Sequence, residues 1–207
     1  MFHRKSSFAV LALLLCGPVV AQFSEVGVKG GPAFTDLASS AVESRSILSM
    51  VAGVYAPIPI NPRLIFQPEL EIATMGASKR FKGEQLDVLR TAYLRSPITL
   101  RWKVAPKLQV AVGLQPAYLL GAWRKQQYIT VSAKEDVRSF DMALICGLSV
   151  RPSPRTDVTL RYVYGMSAVL ADDNVYYPSN RALQLTVGLR MKRFKGASEY
   201  RRRALGP

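Results

Sequence analysis

Histidine and cysteine are almost absent from this chain of 207 residues, which has one histidine and two cysteines. His3 and Cys16 both precede Ala21, so Cys146 is the only residue of either type in the remaining chain. A single cysteine cannot form an internal disulfide. Beyond Ala21 the sequence therefore excludes Ser/His/Asp and Cys/His catalytic arrangements, zinc sites that use histidine, and thiolate clusters.

Acidic residues are also scarce, with 14 Asp and Glu against 28 Lys and Arg, for a formal net charge of +14. Such a charge is typical of a protein with an anionic partner, and solubility alone is the alternative explanation. The basic residues are spread over many predicted strand ends rather than gathered in one patch, which argues against nucleic acid. We expect a phosphate-rich membrane surface as the partner.

The apolar run at the N-terminus, Phe8 to Leu15, is too short to span a bilayer as a helix. Arg4 and Lys5 precede this run, and small residues ending at Ala21 follow it. This order is typical of a secretory signal peptide. We therefore predict that residues 1–21 are cleaved off after Ala21 and that the protein is exported.

Alternation of apolar with polar or small residues is the dominant pattern of the remaining chain. From Leu183 to Met191 every second residue is Leu, Val or Met, and the residues between them are polar, charged or glycine. A period of two is that of a β-strand. Eight such segments are present, and closure removes the exposed edges of a long antiparallel sheet. The sequence predicts an all-β fold, a closed antiparallel eight-stranded up-and-down transmembrane barrel over residues 22–194, followed by a basic periplasmic tail at 195–207.

Short and long connections alternate along the predicted barrel. Proline-marked short turns are predicted near residues 60, 105 and 153. The first of them, Pro57 to Pro62, is expected to leave the sheet because proline donates no ladder hydrogen bond. With an even number of strands, both chain ends lie at the short-turn end, which we expect to face the periplasm. Longer polar loops are predicted at residues 35–46, 77–87, 122–136 and 172–180.

Two eight-stranded barrels fit this pattern, and they differ in which row of side chains faces inward. A soluble lipocalin-like barrel encloses a small apolar ligand with its apolar row, whereas an outer-membrane barrel turns that row to lipid. Strand length, alternating loop lengths and aromatic residues near strand ends favour the membrane barrel, although aromatic residues are common in strands generally. The aromatic residues assigned to the membrane interfaces are Tyr55, Trp102, Tyr118, Trp123, Tyr128, Tyr162, Tyr164 and Phe194.

Charges of both signs occupy the polar rows. On a lipid-facing surface each would cost about 2–4 kcal/mol near the bilayer midplane, whereas inside a narrow barrel they can pair. An eight-stranded lumen has room only for side chains, so we predict a charge network and no open pore. In the soluble alternative the same residues form a solvated surface. The predicted lumen network consists of Lys29, Glu69, Glu71, Arg95, Arg101, Asp141, Arg161 and Arg190.

Glu69 and Glu71 are the remaining candidates for chemistry, since they lie two residues apart on one face of a predicted strand. They fit an acid/base pair or proton relay, but an interior salt-bridge network is the favoured interpretation. Asp172-Asp173-Asn174 lacks the spaced ligands of a calcium loop and is assigned to a solvated loop. We therefore predict no catalytic residue, no cofactor site and no metal site.

The chain resembles the PorT-like outer-membrane β-barrel domain family at four places: Val26 to Phe34 (VGVKGGPAF), Phe66 to Leu70 (FQPEL) with Gly76, Tyr93 to Ile98 (YLRSPI), and the alternating run from Leu183 to Met191. The resemblance implies an exported eight-stranded barrel, and the family's namesake implies a link to protein secretion and gliding machinery. Chains of this kind often end at their last aromatic residue, which the barrel-assembly machinery recognises. This chain instead continues past Phe194 to Pro207.

The expected function is that of a non-enzymatic barrel in the bacterial outer membrane, structural or adhesive, or anchoring a protein assembly such as a secretion apparatus. The alternative is a secreted soluble barrel that carries a small apolar ligand. The basic tail, with Arg201 to Arg203, is expected to hold an acidic periplasmic or secretion-machinery partner, or else to be a disordered solubilising tail. Lipopolysaccharide phosphates are expected to contact basic residues in or beside the long loops, namely Lys79, Arg80, Lys82, Arg124 and Lys125.

Overall fold

A computed structural model describes residues 25–38, 44–81, 84–126, 129–169 and 179–193. The predicted signal peptide at 1–21 and the basic tail at 195–207 lie outside the described residues. The same is true of Lys82, Tyr128, Phe194 and most of the predicted loop at 172–180.

The described residues form one antiparallel sheet of eleven strands. The strands are β1 (Glu25–Ala38), β2 (Ser44–Tyr55), β3 (Ile58–Pro59), β4 (Leu64–Phe81), β5 (Glu84–Arg95), β6 (Ile98–Ala105), β7 (Leu108–Gln126), β8 (Ile129–Ser132), β9 (Phe140–Ser153), β10 (Thr156–Ala168) and β11 (Ser179–Arg193). Within this part of the chain, no helix is long and apolar enough to cross a membrane.

Eight barrel strands arise from these elements. β5 and β6 together make one barrel strand, interrupted at Ser96-Pro97, because both pair with β4 on one side and β7 on the other. β3 and β8 are short additions that pair with β4 and β7. The pairing of β1 with β11 closes the sheet. The predicted closed, antiparallel eight-stranded barrel is confirmed.

The proline-rich connection at residues 57–62 differs from the predicted turn. Ile58 and Pro59 form β3 and pair with Phe66 and Ile65 of β4. The prediction that proline keeps this segment out of the sheet is wrong. A two-residue strand at a sheet edge tolerates proline, because the ring nitrogen has no further strand to which it must donate.

At the opposite end, the strands run further than predicted. β1 continues to Ala38, β2 begins at Ser44, and β4 and β5 are separated by residues 82–83 alone. β7 reaches Gln126, and β8 pairs back onto it. The prediction that the whole of 35–46, 77–87 and 122–136 forms loops is therefore wrong. Polar composition indicated loops there, but an antiparallel strand whose faces meet water can carry polar side chains.

The two alternating rows of side chains point in the directions that a membrane barrel requires, with the apolar row outward and the polar row inward. Leu183, Leu185, Val187, Leu189 and Met191 are 45–61% exposed on the outer surface. The side chains between them point inward, and Gln184 and Thr186 are 1% and 4% exposed. A soluble barrel with an apolar interior would show the reverse, so the lipocalin-like alternative is not favoured.

The aromatic residues divide between the two faces. Trp102, Tyr118 and Trp123 are about half exposed on the outer surface, and Tyr162 and Tyr164 also face outward. Tyr55 is 3% exposed and points into the lumen. Its ring lies over Gly27, where an added Cβ would be 2.4 Å from a ring atom. The assignment of Tyr55 to a membrane interface is therefore wrong.

Candidate functional site

Six charged side chains meet in the centre of the lumen. Strand pairing brings them together: Glu71 is opposite Arg95 on β5, and Gly53 on β2 lies between Glu71 and Lys29 of β1. A Cβ added at Gly53 would be 2.3 Å from a backbone oxygen of β4 and 3.0 Å from Cγ of Glu71. The glycine therefore makes room for the carboxylate to reach the lysine. The six residues, called the central network below, are Lys29, Glu69, Glu71, Arg95, Arg101 and Arg161.

Glu69 accepts hydrogen bonds from several directions. Arg161 Nη2 donates to both of its carboxylate oxygens, at 2.8 and 2.9 Å. Gln67 Nε2 donates to Glu69 Oε1 at 2.7 Å, and Lys29 Nζ donates to Oε2. Arg101 Nη2 is more distant, 3.6 Å from Oε1. The carboxylate of Glu69 is thus surrounded by donors.

Glu71 is held in the same way. Arg95 Nη2 donates to Glu71 Oε2 at 2.6 Å, and Arg161 Nη1 donates to Oε1 at 3.1 Å. Lys29 also forms an ion pair with Glu71. Arg161 of β10 therefore ties together two carboxylates of β4 on the far side of the barrel. The side chains of Glu69 and Glu71 are 0% exposed, and that of Arg161 is 3% exposed.

Arg190 belongs to a second cluster at the short-turn end of the lumen. Its Nε and Nη2 donate to the two carboxylate oxygens of Asp157, at 3.0 and 3.2 Å, and its Nη1 donates to Glu25 at 3.1 Å. Arg151 Nε and Tyr55 Oη also donate to Asp157, at 3.2 and 3.1 Å. The structure thus separates Arg190 from the central network, and it adds Asp157, which the sequence analysis missed.

Asp141 lies apart from both clusters. Its Oδ2 accepts a hydrogen bond from Asn180 Nδ2 at 2.8 Å, and its other oxygen has no hydrogen-bond partner. Asp141 is 6% exposed. The ion-pair geometry that joins the central network does not extend to this carboxylate.

The half of the lumen nearest the long loops contains an apolar cluster beside buried polar residues such as Asp141 and Asn180, and the sequence analysis did not anticipate this cluster. Inward-facing residues there form one buried cluster, and segments outside the main strands add Ala133, Val137 and Val169 to it. Backbone hydrogen bonds hold these segments in place, from Arg138 N to Val169 O at 2.8 Å and from Ala133 N to Ala122 O at 3.0 Å. The larger strand residues of this apolar plug are Leu37, Met75, Leu89, Tyr93, Leu119 and Val163.

The described residues among those predicted to contact lipopolysaccharide, all but Lys82, lie at the same end of the barrel. Lys79 and Arg80 belong to the hairpin of β4 and β5, and Lys125 on β7 is exposed. Arg124 is partly buried and forms an ion pair with Asp136 at 3.3 Å. Three further arginines, which the sequence analysis missed, are exposed at this end, namely Arg45, Arg90 and Arg181. The guanidinium carbon of Arg181 is 5.3 Å from the ring centre of Tyr164.

The lumen is built for ion pairing. Among the described residues, no group of three or more His, Cys, Asp and Glu side chains has an arrangement that could hold a metal ion. Both carboxylates of the central network are fully engaged by cations and are closed to solvent. The arrangement ties β1, β4, β5 and β10 together across the barrel.

Comparison with known proteins found one matching family and several solved structures of similar fold. The sequence profile of the outer membrane protein beta-barrel domain matches residues 20–171. Neisserial surface protein A is similar in fold, with a TM-score of 0.53 and 14% identity over 81% of this chain and 96% of that chain. The outer membrane protein OprG from Pseudomonas aeruginosa gives 0.51 and 8%, over 83% of this chain and 97% of that chain.

A third solved structure, the attachment invasion locus protein Ail of Yersinia pestis, has a TM-score of 0.48 and 14% identity, over 81% of this chain and 99% of that chain. A search among curated proteins found no match. At these identities, the similarity to Neisserial surface protein A and OprG establishes the fold alone.

Proposed function

The chain belongs to the outer membrane protein beta-barrel domain family, and from this premise we propose that it is a non-enzymatic barrel that acts as a membrane anchor. In this role it is structural or adhesive, or it anchors a protein assembly such as a secretion apparatus. The observation that carries the proposal is that the outer and inner faces of the barrel wall differ in polarity. The outer rows are apolar and the inner rows hold a buried ion-pair network.

The outer surface supports insertion in lipid. Its middle band exposes mainly Leu, Ile, Val, Met and aromatic side chains, whereas most of the exposed Lys and Arg side chains lie toward its two ends. Soluble proteins rarely expose apolar patches beyond a few hundred Å². Burial of such a surface in hydrocarbon is favourable, because each fully buried large apolar side chain contributes about 1.5–3 kcal/mol.

The closed lumen supports a role without transport or catalysis. The apolar plug occupies the end nearest the long loops, which argues against a wide aqueous channel in the described part of the barrel. Glu69 and Glu71 are paired with cations and have no exposed surface. A general acid or base must reach its substrate at hydrogen-bond distance. The interior salt-bridge network is therefore preferred to an acid/base pair.

A place among PorT-like proteins, with their link to secretion machinery, is the finer proposal. It is supported by the matching segments Val26 to Phe34 and Tyr93 to Ile98. These segments supply Lys29 and Arg95 to the central network. We further propose that the basic tail at 195–207 holds an acidic periplasmic partner. Photo-crosslinkers placed at Arg201 to Arg203 in intact cells test this, and an absence of any protein crosslink contradicts it.

Lipopolysaccharide is the proposed lipid partner at the long-loop end. The exposed Arg45, Arg90, Arg181 and Lys125 support this proposal together with Lys79 and Arg80. Guanidinium groups bind phosphate oxygens well. A crosslinker at Arg90 is expected to capture lipopolysaccharide, whereas one at the exposed Arg63 near the short turns is not. Equal capture at the two positions would contradict the assignment.

Fractionation of cells tests the proposed function most directly. We expect the protein in the outer-membrane fraction, with gel migration that changes on heating, as a stable barrel gives. Recovery of the folded protein from the soluble periplasm would contradict the proposal and favour a ligand carrier. Activity on lipid A or phospholipid that disappears in a Glu69→Gln variant would contradict the non-enzymatic role.

A further inference from the structure

Positive charge exceeds negative charge in the two charge clusters of the lumen taken together. The central network has four cations and two carboxylates, Glu69 and Glu71. The cluster at the short-turn end sets Arg151 and Arg190 against Asp157 and Glu25. Counted over the described residues of both clusters, two positive charges have no carboxylate of their own.

Arg101 is the buried cation least satisfied by its neighbours. It is 3% exposed, its Nη2 is 3.6 Å from Glu69 Oε1, and its Nε and Nη1 have no hydrogen-bond partner. Glu69 is already engaged by Arg161 and Lys29 at shorter range. The excess of charge is therefore concentrated at Arg101.

Arg95, the other fully buried arginine of β5 and β6, is better compensated. Its Nη2 donates to Glu71 at 2.6 Å. With the amide of Gln184 turned so that its oxygen faces the guanidinium, Arg95 also donates to that oxygen at 2.9 and 3.2 Å. Arg95 leaves only its Nε without a partner, whereas Arg101 leaves both Nε and Nη1, so Arg101 is the less satisfied of the two.

An unpaired buried cation is unfavourable, because removing it from water is only repaid when an anion or acceptor replaces the lost hydration. We propose that the lumen binds one small monovalent anion of chloride size beside Arg101. The anion accepts hydrogen bonds from Arg101 Nε or Nη1 and offsets part of the excess charge. This inference concerns the interior and does not depend on the proposed membrane partners.

The route and the size of the anion follow from the two ends of the lumen. The apolar plug occupies the long-loop end of the described barrel. At the short-turn end, the side chains of Arg151 and Arg190 are 21% and 11% exposed, so cations meet solvent there. An anion therefore enters from the short turns. An eight-stranded barrel leaves little space beyond its own side chains, which favours a halide over phosphate or sulfate.

Bromide is the probe that tests this site. Crystals of the full chain, grown with bromide in place of chloride, are expected to show an anomalous peak at hydrogen-bond distance from Arg101 Nε or Nη1. In solution, the purified barrel is expected to broaden the chloride-35 NMR line. Added bromide is expected to reverse this broadening until the site is saturated with bromide. In an Arg101→Gln variant the affinity should fall at least about tenfold, the factor for one charge-assisted hydrogen bond. The matched control is Arg155→Gln, at an exposed arginine of a short turn.

Each outcome of these measurements decides the proposal. An anomalous peak beside Arg101, or broadening that is lost in Arg101→Gln and kept in Arg155→Gln, supports it. Water without anomalous signal at the arginine overturns it, as does broadening that the two substitutions reduce equally. If phosphate competes as well as bromide, the chloride-sized site is wrong. If Arg101→Gln does not fold, the bromide peak in the unaltered protein still decides.

Discussion

Arg161 donates three hydrogen bonds to the central network and bridges Glu69 and Glu71 from the opposite wall of the barrel. Replacement by glutamine leaves the two buried carboxylates with fewer cations. Lys29, Arg95 and Arg101 still pair with these carboxylates, so the loss is that of charge-assisted hydrogen bonds, at about 1.5–3 kcal/mol for one. We expect Arg161→Gln to lower the free energy of unfolding by this amount, measured by urea unfolding in phospholipid vesicles.

The matched control for this prediction is Arg155→Gln, because Arg155 is exposed in a short turn. A surface change of this kind usually alters stability by no more than about 0.5 kcal/mol. A double-mutant cycle with Glu71→Gln separates pairing from burial, and a coupling energy near zero would show that the Arg161 to Glu71 contact contributes nothing. Equal stability of the two arginine variants would contradict the structural role of the network.

At the residue scale, alternation predicted more than residue type did. The rows placed Lys29, Glu69 and Arg161 on inward faces, where the structure has them. Alternation also places Tyr55 in the same row as Gly53. The preference of aromatic residues for interfaces assigned it wrongly to the lipid side. What the sequence could not supply is the space over Gly27 that accepts the ring, because that space depends on the pairing of β1 with β2.

At the element scale, β11 offers one test of the two faces. Leu185 and Met191 both lie on its apolar outer row, the first near the middle of the strand and the second near its end. An arginine on a lipid-facing strand costs about 2–4 kcal/mol at the midplane and about 0–1 kcal/mol near an interface. We expect Leu185→Arg to lower the free energy of unfolding in phospholipid vesicles by the larger amount and Met191→Arg by the smaller.

The two variants control each other, since they add the same side chain to the same row at different depths. A solvated outer surface would tolerate both equally, so equal and small effects would remove the membrane assignment of this face. Failure of Leu185→Arg to insert into vesicles, with normal insertion of Met191→Arg, would agree with the prediction.

Element boundaries were predicted less well than element faces. β4 and β7 extend beyond the apolar rows, and there the polar residues resembled loops. Antiparallel pairing continues in water as long as a neighbouring strand supplies hydrogen bonds, and the sequence of one strand does not reveal its neighbour. The inward rows also change character along their length. Leu119 follows Gln115 and Ala117 on the inner face of β7, and tracing that row toward the long loops would have indicated the apolar plug.

At the scale of the whole molecule, the two ends of the barrel are chemically different. The short-turn end opens onto a cluster of cations around Asp157, whereas the long-loop end is filled by the apolar plug. Alternation with closure was enough to predict the barrel, because one face must meet lipid and the other must be paired. The asymmetry along the axis depends on which strands meet at each level, and a single sequence read strand by strand does not give that.

The orientation of these two ends across the membrane is the last prediction. Short turns of outer-membrane barrels face the periplasm and longer loops face the cell surface. Glu135 lies beyond β8 at the long-loop end, Arg155 lies in a short turn, and both are exposed. Cys146 is exposed on the outer wall, and its thiol could itself be labelled. The Cys146→Ser variant is therefore used as the background, because it has no cysteine after the predicted cleavage site. In this background, a membrane-impermeant maleimide should label E135C but not R155C in intact cells, and both after the outer membrane is permeabilised. Labelling of R155C alone in intact cells would contradict this orientation and would place the cationic end of the lumen at the cell surface.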